Sequence, residues 1–143
     1  MRIQIVLQLA IVALITAHAV AAAKRELPTS VAMFFTAIES LAKADERPEG
    51  ISPEANMARI KPLMQQIVDA GGKSNRAKLN ALYPGWGDHF LDDAVAHARF
   101  ILQALDTRDS DAMTRAMGTI VRWQQWWKPN QEKILTLVAE RFG

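Results

Sequence analysis

The sequence predicts an all-α protein, a small antiparallel bundle of four to five helices behind an N-terminal signal peptide. Three observations carry this reading. Apolar residues recur at three- and four-residue steps in most segments between turn signals, which is the spacing of one helix face. No stretch sustains the period of two that a half-buried strand requires. Helix starts and stops are written in capping residues, prolines and glycines at the segment ends. No repeat and no low-complexity tract interrupts the pattern.

The first 23 residues read as a leader. Arg2 gives a thin positive start, and Ile3 to Ile15 is apolar apart from Gln4 and Gln8. The triplets Ala17-His18-Ala19 and Ala21-Ala22-Ala23 suit a signal peptidase, whose pocket admits short side chains. Cleavage is expected after Ala19 or Ala23, leaving residues 24–143 as a single helical domain. The alternative is an uncleaved N-terminal membrane anchor, since about 20 apolar residues span a bilayer. Its alanine-rich second half is weakly hydrophobic, which favours cleavage.

Leu27-Pro28-Thr29-Ser30 reads as an opening turn, with Thr29 or Ser30 as the cap. Val31, Phe34, Phe35, Ile38, Leu41 and Ala42 form the stripe of the first helix. Asp45 to Gly50 is polar and holds Pro48 and Gly50, so it is a loop. Ser52-Pro53-Glu54 starts the second helix with a hydroxyl cap, a proline whose missing N–H is harmless there, and an acid at the positive end. Met57, Ile60, Leu63, Met64, Ile67 and Val68 continue it to Gly71-Gly72. Pro62 is expected to kink or split this helix. Ser74 or Asn75 caps a short helix carrying Leu79 and Leu82.

The centre of the chain is a helical hairpin from Tyr83 to Pro129. It contains all four tryptophans and both histidines outside the leader. After the turn Pro84-Gly85-Trp86-Gly87, Asp88 reads as an N-cap. Phe90, Leu91, Ala94, Val95, Ala98, Ile101, Leu102 and Leu105 then fall within an arc of roughly 140° at about 100° per residue. Thr107 to Ser110 is the hinge, and a short hinge between long amphipathic helices favours an antiparallel pair. Met113, Ala116, Met117, Ile120, Trp123 and Trp127 share the inner face of the return helix, and Trp126 falls off it beside Arg122. Lys128-Pro129 is expected to break the helix, with Asn130 capping a last one that carries Ile134, Leu135, Val138 and Phe142.

Composition excludes several classes. With no cysteine there is no disulfide, thiolate metal site or covalent c-type haem. The formal charge is +2, and removing the leader takes away Arg2 alone, leaving +1. That near balance is not the footprint of a nucleic-acid binder. No Gly-rich phosphate loop, nucleophile elbow or HExxH pattern is present. Glu54, Asp69 and the Asp88, Asp92, Asp93 group form no recognisable acid–base pair. Lys73, Arg76 and Lys78 make the one local basic run, read as solvated charge.

Three sets of residues are candidates for function. Arg122, Trp126 and Lys128 form an aromatic-basic contact surface, because a large aromatic off the core face usually packs on something. His89, Asp93 and His97 stand one turn apart, so imidazole and carboxylate there could share zinc or another divalent metal. The row spans about 12 Å at 1.5 Å per residue, which favours two ligands over three. The plainer reading makes them boundary residues in His–Asp contact along the helix. Trp86, between two glycines, reads as a plug at one end of the bundle or, with Tyr83, as the lip of a small-molecule pocket. A haem held by His97 and Met113 or Met117 has no attachment motif behind it.

The leading expectation is an exported, periplasmic or secreted, non-enzymatic domain that works by contact with a protein or envelope component, peripheral membrane contact included. No cofactor and no nucleic-acid partner are expected. The alternatives are a metal-binding protein and a small-molecule carrier.

Overall fold

The computed structural model describes residues 27–143, which form five helices joined by short links, with no strand among the described residues. The leader and its cleavage sites lie outside the described residues. Helix α1 is Thr29–Asp45, α2 is Pro53–Gly72 and α3 is Arg76–Leu82. Helix α4 spans residues 86–107 without a break: an α-turn Trp86–His89, a π-helical stretch Phe90–Val95, and regular α-helix Ala96–Thr107. Helix α5 runs Ser110–Phe142. Among the described residues no helix is long and apolar enough to cross a membrane.

Helix α1 packs on α2, α2 on the distal half of α4, and α4 on α5. The bundle is completed by aromatic rings. Phe34 of α1 lies edge-on to Trp86 and to Phe90, each at a centroid distance of 5.1 Å. It also reaches Trp123 at 5.9 Å and Trp127 at 5.3 Å on α5, which are themselves stacked at 5.4 Å. Phe34, Trp86, Phe90 and Trp123 are fully buried. A buried aromatic of this kind contributes about 1.5–3 kcal/mol by area, with edge-to-face geometry adding to it. The hairpin therefore wraps around the ring on α1.

The expected Ser52 cap is present: its hydroxyl accepts from the N–H of Ala55 at 3.1 Å. Asn75 caps α3 by accepting from the N–H of Lys78 at 3.0 Å. Asp109 caps α5, and Arg108 makes the hinge with a left-handed φ of 53°. Arg59 reaches back from α2 and donates to the carbonyls of Lys43 and Ala44 at 2.7 and 2.8 Å, which satisfies the open end of α1.

Several expectations are corrected. Neither Thr29 nor Ser30 caps α1: Pro28 holds that position, and the buried Ser30 hydroxyl accepts from the N–H of Asn75 at 2.8 Å. Pro62 does not split α2, which continues through it. The carbonyl it leaves without a helical donor belongs to Ala58, an exposed residue. Pro129 does not end α5 either. Asn130 donates its side-chain amide to the carbonyl of Trp126 at 2.6 Å and accepts from the hydroxyl of Tyr83, also at 2.6 Å. Asn130 thus lies within a continuous helix and does not cap a new one. Trp86 is fully buried in the core cluster and does not form a pocket lip. Met113 is 39 % exposed and stands outside the core.

Candidate functional site

The site forms where the start of α4 faces the middle of α5. Gly85, at a φ of 84°, turns the chain into α4. The first N–H groups of that helix are satisfied from α3: Asn80 Oδ1 accepts from Gly87 at 2.8 Å and from Asp88 at 3.2 Å. Asp88 is therefore not the cap. Its carboxylate accepts from Arg76 Nη1 at 2.9 Å, while Asp92 takes both Arg76 nitrogens, at 2.9 and 2.8 Å. These bonds hold both carboxyls below the usual carboxylate range and hold the Arg76 proton more tightly. The basic run is thus partly neutralised, since Arg76 is clamped between two acids.

The π-helical stretch carries Asp93. Its side chain is only 8 % exposed, and both oxygens are engaged. Oδ2 lies 2.8 Å from His89 Nδ1 and Oδ1 accepts from Arg122 Nε at 3.2 Å. A carboxylate oxygen accepts, so the donor in the first of these bonds is the His89 Nδ1–H. Helix α5 contributes Arg122, Gln125 and Trp126, which three- and four-residue spacing places on one face. Trp126 is half-buried and stacks on His89, with centroids 4.7 Å apart and planes 14° from parallel. Together Asp88, His89, Asp92, Asp93, Arg122, Gln125 and Trp126 line an open cleft of about 460 Å³.

Residues expected to belong to two different sites meet here. His89 and Asp93 from the metal row face Arg122 and Trp126 from the contact surface. The remaining candidates do not join them. His97 is buried, and its Nδ1 donates to the carbonyl of Ala116 at 2.7 Å. With His97 turned to α5 and both Asp93 oxygens occupied, the three do not form a shared metal site. Among the described residues no group of three or more histidines and acids is placed to hold a metal ion. Lys128 is exposed and does not line the cleft. Tyr83 sits behind Trp126 at 6.2 Å with its hydroxyl on Asn130. Met113, on the outer surface, does not face a haem pocket with His97.

Gln125 is the lining residue that the sequence reading passed over. Its position beside Trp126 and three residues after Arg122 was the available signal. Nothing in the chain announces that Asp93 and Arg122, 29 positions apart, form a pair. Comparison of the chain with family models, curated proteins and solved structures finds no match.

Proposed function

We propose that the chain is an exported, non-enzymatic helical domain that acts by contact with a protein or envelope component, and that the contact is made at the His89–Asp93–Arg122–Trp126 cleft. The observation that supports this most directly is the Asp93 clamp. A buried carboxylate on a π-helical stretch fixes an imidazole on one side and a guanidinium on the other. Preorganised polar groups beside a half-buried aromatic are what a binding cleft needs, and π-helical stretches recur at functional sites.

A photo-crosslinking residue placed at Gln125, which is exposed at the cleft, tests this in the native envelope, with the exposed Arg99 position as control. A defined adduct from position 125 and none from position 99 is the expected result. Equal labelling at both, or none at 125, contradicts it. Mass spectrometry of the same material tests export: the mature chain is expected to begin at Val20 or Lys24. Intact Met1 on a cytosolic product contradicts it.

A further inference from the structure

The chemistry of the cleft narrows what it holds. Every lining carboxylate is already engaged: Asp88 and Asp92 by Arg76, and Asp93 by His89 and Arg122. A cationic ligand would have to compete with those bonds. Arg122 differs. Its Nε–H is used on Asp93, which sets the plane of the guanidinium, and its Nη1 and Nη2 groups have no hydrogen-bond partner among the described residues. Its side chain is 59 % exposed, so the fork is open to solvent. A guanidinium fork of this kind matches a carboxylate through two parallel bonds. Beside it stand the His89 and Trp126 rings, stacked on each other at the edge of the cleft.

We infer that the cleft binds an aromatic carboxylate, its acid group on the Arg122 Nη fork and its ring packed beside the stacked His89–Trp126 pair. The inference rests on reading the cleft as the contact site. Asp88, Asp92 and Asp93 oppose any anion in this space, and a phosphate with its second charge more than a carboxylate, so the Arg122 fork must carry the preference. The volume of about 460 Å³ lies within the range of small-ligand pockets and exceeds what one ring and one carboxylate fill. The same chemistry is offered by a free aromatic acid and by the last residue of a partner chain that ends in an aromatic.

The test is a titration of the isotope-labelled full chain, following the Trp126 indole N–H and the Gln125 side-chain amide by NMR. The probes are benzoate, benzamide, inorganic phosphate, N-acetylphenylalanine and N-acetylphenylalanine amide. Benzoate is expected to bind about tenfold or more tighter than benzamide, the difference one charged hydrogen-bonded pair supplies, and tighter than phosphate. Arg122→Gln removes the preference for acid over amide, Arg122→Lys keeps part of it, and Trp126→Phe retains it with weaker binding of both. Tighter binding of N-acetylphenylalanine than of benzoate assigns the carboxylate to a chain terminus, and the reverse order assigns it to a free acid. Equal binding of benzoate and benzamide, or a preference that survives Arg122→Gln, overturns the inference. If position 125 still crosslinks while the acid preference is absent, the ligand class alone falls. If both are absent, the assignment of the cleft falls with it.

Discussion

Gly71 meets Val95 with no space for a side chain between them: a Cβ on Gly71 would lie 2.7 and 2.8 Å from the two γ-carbons of Val95. This contact lets α2 press directly on the π-helical part of α4. Gly71→Ala is expected to lower stability by about 1–3 kcal/mol through overpacking, outweighing the better helix propensity of alanine. Combining it with Val95→Ala relieves the clash. The double variant should be more stable than the sum of the singles by about 1 kcal/mol or more, read from urea denaturation midpoints.

Phe34 joins the rings of α4 and α5 to α1. Phe34→Ala removes the ring on which Trp86, Phe90, Trp123 and Trp127 converge. The expected loss is about 3–5 kcal/mol, a large share of the stability of a domain this size. Near-ultraviolet circular dichroism, which reports packed aromatics, should collapse well before the helical signal does. Phe34→Leu should keep both signals and lose about 1–3 kcal/mol.

Arg108 holds the left-handed conformation that ends α4, a backbone shape that L-residues with side chains adopt at a cost. Arg108→Gly is expected to stabilise the protein by about 0.5–1 kcal/mol after allowing for the greater freedom of glycine in the unfolded chain. A rise in Tm of about 2–5 °C on thermal unfolding would show it. A fall in Tm would mean that the arginine side chain makes a compensating contribution at the hinge.

Arg76 gives the α3–α4 corner an acid sensitivity. Its bonds lower the folded-state pKa of Asp92 and Asp88. A group whose pKa is depressed by folding stabilises the native state above its unfolded pKa, about 3.9 for Asp, and loses that contribution as pH falls through the lower folded value. Wild type should therefore lose stability below about pH 4 more steeply than Arg76→Gln. The two denaturation midpoints are expected to converge toward pH 2. Both acids are largely exposed, so the difference at neutral pH is small.

The helical fold was legible because burial imposes a period on the sequence that needs no knowledge of neighbours. The inward positions of Phe34, Ile67, Trp123 and Ile134 follow from that period alone, and all four are buried. Neither internal proline interrupts its helix, because one missing N–H costs a long helix a single bond. The residues whose carbonyls lose a donor, Ala58 before Pro62 and Gln125 before Pro129, are both exposed. That Trp86 is covered completely was not legible, because flanking glycines suggest a surface turn, whereas Phe34 arrives from a distant helix to pack on it. In the cleft, the spacing of His89 and Asp93 was visible and their bond is present. Arg122 was visible only as a neighbour of Trp126. Its pairing with Asp93 depends on the docking of α4 against α5, which no local pattern encodes.

The π-helical stretch works as an index mark on α4. Its wider turn sets the angular phase between Trp86 and His89 at one end and Ala98 and Ile101 at the other. Were the same six residues wound at the regular α-helical pitch, the first turn would swing by about 100° relative to the remainder. Trp86 would then leave Phe34, and His89 would leave Trp126. The aromatic interior and the open cleft are thus geared together through six residues, and neither can be re-aimed without turning the other.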